Sequence, residues 1–244
     1  MSLPLKLLLS PILIAQAMAT RRRAPKLPEA AGARDGQFGS GPNALRVLIA
    51  GDSSAAGVGV ADQSQAFAGY YTRTLHRRLA RPLRWTLRAR SGYTTAQVHR
   101  MLTATPPPRV DVAVIVTGVN DVIDQLSPAR ALAHRSALAE WLLDDGRAAH
   151  VLFAALPPIH QFPLLPQPLR RVMGADARRH DAALAAWAAG RARIWHAPID
   201  VWLSPATMAD DGFHPGEPVY RTCGETLARF TVERILADDA RLSA

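Results

Sequence analysis

The 244 residues are 48% apolar and show no repetitive bias, enough to bury one sizeable core, so the composition excludes a disordered chain and predicts one compact domain. The formal charge of +9 is unevenly spread: residues 1–40 hold six cations against two anions, leaving +5 over the other 204 and excluding a strongly basic nucleic-acid module. Cys223 is the only cysteine, so neither an intrachain disulfide nor a thiolate metal site can form.

The chain begins with a short apolar core, Leu7 to Ala15, behind Lys6, followed by Ala17-Met18-Ala19, which has the small-x-small form of a signal-peptidase site. Arg21-Arg22-Arg23 follows at once and resists translocation. Pro4, Pro11 and Gln16 make the stretch short and broken for a spanning helix, which needs about 20 apolar residues. Residues 1–20 are therefore expected to serve export or membrane association, with a cytoplasmic location as the alternative. Residues 21–43 read as a basic, Pro- and Gly-rich linker, and 44–244 as the folded domain, expected to be a monomer.

From residue 45 short apolar runs alternate with longer stretches of helical period, the pattern of a parallel sheet flanked by helices. Strands are expected at Arg46–Ala50, Arg84–Ala89, Val110–Val116, His150–Ala155 and Arg193–His196. Helices are expected at Gln65–Leu79, Thr95–Leu102, Ala129–Asp144, Leu169–Ala189 and Val219–Ala237, several with apolar residues three and four apart. The order is βαβαβαβαβα. Arg77-Arg78 and Arg170-Arg171 fall in helical stretches without interleaved aromatics, so they read as solvated faces, and no nucleic-acid partner is expected.

Such a sheet binds ligands at the carboxyl ends of its strands. Ser53 follows the first strand in Gly51-Asp52-Ser53-Ser54, Gly92 follows the second, Asn120 the third, and Asp211-Gly212-Phe213-His214 the fifth. A serine hydroxyl is a weak nucleophile until a base takes its proton and a third group orients that base. Asp211 and His214 can supply both needs, and the backbone N–H groups of Ser53 and Gly92 with the Asn120 amide can stabilise an oxyanion. Taken singly, a D-x-x-H spacing also suits a helix cap beside a surface histidine, Gly92 a strand-ending turn and Asn120 a cap. Asp52 reads as a cap on the turn after it and Asp121 as a brace for the Asn120 loop. No metal or cofactor is implied.

Together, Gly51-Asp52-Ser53, Gly92, Gly118-Val119-Asn120-Asp121 and Asp211 to His214 resemble the four sequence blocks of the SGNH hydrolases, the GDSL-type esterases and lipases, over residues 45–237. The resemblance implies a flavodoxin-like three-layer α/β/α sandwich on a five-stranded parallel sheet. It assigns Ser53 as nucleophile, Asp211 and His214 as its partners, and Ser53, Gly92 and Asn120 as the oxyanion hole. Two positions depart from the family pattern: Ser54 replaces the leucine of the family name, and Gly92 follows Arg90-Ser91 instead of an asparagine-containing run. The expected activity is hydrolysis of short-chain acyl or lipid esters through an acyl-serine, with no cofactor. The alternatives are an acyltransferase or thioesterase on the same residues, or a non-catalytic protein that binds a lipid or acylated glycan. The apolar loop Leu156 to Phe162 reads either as a wall of the substrate groove or as a plain crossover.

Overall fold

A computed structural model describes residues 3–144 and 146–237. Six strands form one sheet: β1 (Asp35–Phe38), β2 (Leu45–Gly51), β3 (Leu83–Ala89), β4 (Val110–Val116), β5 (Ala148–Ala154) and β6 (Ile194–Ala197). The helices are α1 (Leu3–Arg23), α2 (Ser53–Ala56), α3 (Phe67–Leu79), α4 (Thr95–Ala104), α5 (Val119–Ile123), α6 (Pro128–Asp144), α7 (Leu169–Ala188) and α8 (Glu217–Phe230), the last running into a π-helical turn over Thr231–Leu236.

β2, β4 and β5 are near-continuous apolar runs because helices cover both faces of the sheet. Alternation sorts their side chains. Leu48, Ala50, Ala113 and Ile115 pack with Val98 and Leu102 of α4, Leu138 and Leu142 of α6, and Leu184 of α7. Val47, Ile49, Val112 and Val114 pack with Tyr71 and Leu75 of α3 and Leu227 of α8. Each fully buried Leu or Ile contributes about 1.5–3 kcal/mol, so these two cores carry the fold.

The strand order is β1-β3-β2-β4-β5-β6, parallel throughout except that β1 runs antiparallel to β3. β2 lies between β3 and β4, and the chain winds outward from it in both directions. The carboxyl end of β2 is therefore the topological switch point, where a crevice opens for ligand. Ser53 follows it directly.

The three-layer α/β/α architecture is as expected, but the sheet has six strands instead of five. The extra strand, β1, comes from the stretch expected to be linker. Its sequence Asp35-Gly36-Gln37-Phe38 is polar and half-exposed at a sheet edge, so it carries no alternating apolar signal. Trp85 covers Gly36 so closely that a Cβ there would stand 2.8 Å from the indole Nε1. The rest of the stretch is also pinned, since Ala31 N–H donates to Ala61 O, Gln63 N–H to Ala31 O and Leu87 N–H to Arg34 O. α1 departs from expectation too: the segment expected to be broken is one helix with Pro11 inside. Among the described residues no helix is long and apolar enough to cross a membrane.

Candidate active site

The turn after β2 admits few side chains. A Cβ at Gly51 would lie 2.1 Å from Val116 O on the neighbouring strand, so only glycine fits. Asp52 caps α2, its Oδ1 accepting the Ser54 N–H at 3.0 Å, while its own N–H donates to Val116 O. Gly57, at φ 79°, closes the helix after one turn in the left-handed region. Ser53 is thus held at the start of a short helix with its N–H at the positive end of the turn.

His214 reaches Ser53 from a loop 161 residues downstream, its Nε2 standing 3.0 Å from Ser53 Oγ. Asp211 Oδ2 accepts from His214 Nδ1 at 2.5 Å, and its Oδ1 accepts the backbone N–H groups of Phe213 and His214, both at 2.9 Å. A carboxylate only accepts, so the proton sits on Nδ1 and leaves Nε2 free to accept from the serine hydroxyl. Burial pushes the Asp211 carboxyl up, but the bonds from the His214 ring and the two backbone amides outweigh it and hold the group below its ordinary value. Gly212, at φ 63°, makes the reversal that folds the loop onto its own carboxylate.

The Gly92 and Asn120 loops are linked to each other. Asn120, in the first turn of α5, donates one Nδ2 hydrogen to Tyr93 O at 3.0 Å, and the second hydrogen is available for another acceptor. Gly92 adopts φ 79°, and the space a Cβ would occupy is open, so the turn after β3 presents bare backbone. Asp121 is fully buried: its Oδ1 accepts Thr95 N–H at 3.0 Å, and its Oδ2 accepts Thr95 Oγ1 at 2.6 Å and Arg135 Nη2 at 3.4 Å. That carboxylate joins the start of α4, just past Gly92, to the helix bearing Asn120. Gly118 at φ 130° leaves room beneath for Arg135, whose Nη2 would lie 2.6 Å from a Cβ there.

Residues outside the recognised motifs complete the frame. Glu29 Oε1 accepts both the N–H and the hydroxyl of Ser91, at 2.7 and 2.8 Å, and pairs with Arg34, which also donates to Ala89 O. The Gly92 turn is therefore buttressed from the stretch expected to be linker. Arg135, buried on α6, reads in sequence as one more solvated helix arginine. Neither Glu29 nor Arg135 has a local motif, and only the Thr94-x-x-Gln97 capping box at the start of α4 was there to be read. His160 faces away, its Nδ1 standing 3.4 Å from Arg178 Nη1.

Asp52 is 2% exposed, and burial raises its carboxyl to about 7 despite the bond from Ser54 and the nearby imidazole. An acid with a raised folded value loses stability as pH climbs from its unfolded value toward the folded one. The penalty is absent below about pH 4, complete above about pH 7, and at most on the order of 4 kcal/mol. Asp52→Asn is expected to raise the melting temperature clearly at pH 8 and little at pH 5. An equal gain at both values in paired thermal melts would refute the burial argument.

A cleft runs from Ser53 and His214 across the carboxyl ends of β4, β5 and β6. Val116, Leu156, Phe162, Val201, Leu203 and Phe213 make its walls apolar. The Leu156 to Phe162 loop is thus a wall of the groove.

A family model described as GDSL-like lipase/acylhydrolase matches residues 49–222. The GDSL-like esterase Rv1075c of Mycobacterium tuberculosis is 28% identical over 239 residues, covering 88% of this chain and 74% of that protein. Among solved structures, the lipase Lip_vut3 from a goat rumen metagenome superposes with a TM-score of 0.59 at 21% identity, over 75% of this chain and 95% of that one. The family 3 carbohydrate esterase of Clostridium thermocellum gives 0.61 at 14% identity, over 80% and 98%. These likenesses between structures concern the fold. With the match spanning β3 to β6 and the turns that bear Ser53, Gly92, Asn120 and His214, the chain belongs to the GDSL-like lipase/acylhydrolase family and is a hydrolase acting on ester bonds.

Proposed function

We propose that the protein is a serine esterase that cleaves carboxylic esters through an acyl-serine intermediate. The observation that carries this reading is the unbroken hydrogen-bonded line from Asp211 through His214 to Ser53 Oγ at the mouth of an apolar cleft. Ser53 Oγ attacks the carbonyl carbon as its proton passes to His214 Nε2, and the imidazolium so formed is stabilised by the Asp211 carboxylate. The carbonyl oxygen takes up the negative charge and accepts from Ser53 N–H, Gly92 N–H and the free Asn120 Nδ2 hydrogen. Collapse expels the alcohol, which takes the proton back from His214. Water then repeats the sequence against the acyl-serine, giving the acid and restoring the hydroxyl.

Apart from Ser53, Ser54, His214 and Tyr220 the side chains lining the cleft are almost all apolar, which supports an acyl or lipid ester over an acetylated sugar. An acyltransferase or thioesterase would use the same residues and differ in the acceptor admitted. A binding protein would need no activated hydroxyl. The deciding test is a fluorophosphonate probe, which reacts only with an activated serine: labelling is expected on Ser53 alone, located by peptide mass spectrometry. A chain that hydrolyses nitrophenyl esters but carries the label elsewhere, or not at all, would overturn the assignment.

The Glu29 buttress provides a second check. Glu29→Ala removes the acceptor for Ser91 N–H and hydroxyl, leaving the Gly92 turn to shift. A donor displaced by a fraction of an ångström costs roughly tenfold in kcat with KM little changed. Steady-state kinetics with a nitrophenyl ester read this directly, and an unchanged kcat would mean that the turn holds itself.

A further inference from the structure

α1 sits on the body by one narrow stripe. Leu9, Leu13, Gln16 and Thr20, four, three and four residues apart, are partly buried together with their neighbours Ser10 and Ala19, and Leu13 packs against the core. Gln16 clamps the start of α7, donating through Nε2 to Gln167 O at 2.6 Å and accepting Leu169 N–H at 3.1 Å. The opposite side is apolar and bare, with Leu8 77%, Ile12 50%, Ile14 60% and Met18 51% exposed.

Only two other large apolar side chains among the described residues are exposed, Ile123 at 42% and Trp202 at 74%. Both belong to the edge that carries the cleft. Trp202 stands between the lining residues Val201 and Leu203, and Ile123 ends the helix that bears Asn120. α1 joins the same edge, because Gln16 holds it where the loop walling the cleft enters α7. Among the described residues the large exposed apolar side chains thus fall on α1, the end of α5 and the loop after β6 instead of being scattered over the chain.

The charge pattern selects the occupant. Arg21, Arg22 and Arg23, all exposed, follow the apolar face of α1 directly. An apolar stripe running into a block of guanidinium groups matches acyl chains below a layer of anionic headgroups. A second copy of this basic chain would bring like charges together. We propose that α1, Ile123 and Trp202 dock the protein flat on an anionic lipid surface with the cleft mouth facing the lipid, so that ester substrate enters from that phase. The docking stands by itself, whereas delivery of substrate rests on the serine-esterase reading.

Binding is best measured on the full chain carrying Ser53→Ala, by cosedimentation with vesicles of phosphatidylcholine alone or mixed with phosphatidylglycerol. Three cations near the surface predict roughly a hundredfold tighter binding to the mixed vesicles. Changing Arg21, Arg22 and Arg23 to Gln should reduce that binding to the level seen with phosphatidylcholine alone. The Ile12→Glu/Ile14→Glu variant, altered only at exposed positions, should abolish binding to both. With Ser53 restored, that variant should hydrolyse a soluble short-chain ester at the parent rate and a vesicle-embedded ester far more slowly. Parent and variant binding vesicles equally, or not at all, would overturn the proposal. So would a concentration-dependent dimer in sedimentation velocity that the same variant dissolves, which would assign the face to a second copy. Loss of soluble-ester turnover in the parent would count against the esterase reading and leave the binding result untouched.

Discussion

Ser53→Ala is expected to lower kcat for a soluble nitrophenyl ester by roughly 10⁵- to 10⁶-fold, leaving only what substrate binding and the oxyanion donors provide to attack by water. The size follows from the arrangement. His214 Nε2 has one acceptor lone pair, and the hydroxyl at 3.0 Å is what fills it. Without that oxygen the base has no nucleophile to activate and no covalent intermediate forms. The fold should be indifferent, because the side chain is small and α2 is held by Asp52 and Gly57, not by the Ser53 hydroxyl. Ser54 gives the test its edge. It lines the same cleft one residue away, and a variant that kept wild-type rates would transfer the chemistry to that neighbour. Active-site titration and thermal melting on the same preparation separate lost chemistry from lost folding.

Asp211→Asn should cost about 10⁴-fold in kcat, less than loss of the nucleophile but far more than loss of one neutral hydrogen bond. The carboxylate does three things: Oδ2 holds the Nδ1 proton, Oδ1 shapes the loop through two backbone amides, and its charge stabilises the imidazolium formed during attack. An asparagine can keep the backbone bonds through its carbonyl oxygen. It then presents an NH₂ to Nδ1, which forces the proton onto Nε2 and leaves no acceptor facing Ser53. The loop should thus keep its shape while the tautomer inverts. The accompanying signature is a loss confined to kcat, with the melting temperature near that of the parent. A fall of less than tenfold would mean that His214 is oriented by something other than this carboxylate.

The five parallel strands and the five long helices that follow them, α1 apart, were legible because each rests on local physics. Runs such as Val110-Asp111-Val112-Ala113-Val114-Ile115-Val116 bury on both faces, and the helical faces repeat at three and four residues. The candidate site was legible for a related reason. Close packing against Val116 O demands glycine at 51, a left-handed turn demands glycine at 92, and proton transfer demands a hydroxyl, an imidazole and a carboxylate. Such requirements mark individual residue types at defined places along the chain.

The sequence by itself determined the layered α/β plan, the switch point after the first parallel strand, and which side chains stand at its rim. Only the tertiary structure decided that Asp35–Phe38 pairs as an edge strand, that Glu29 and Arg34 buttress the Gly92 turn, that Arg135 lies buried beneath the Asn120 loop, and that α1 rests on the start of α7 with an apolar face left open. The physical reason is the same in each case. A strand edge, a hydrogen bond across 62 residues, a buried arginine and an uncovered helix face depend on what the chain brings against them from afar, and no period or spacing within a segment records its partner.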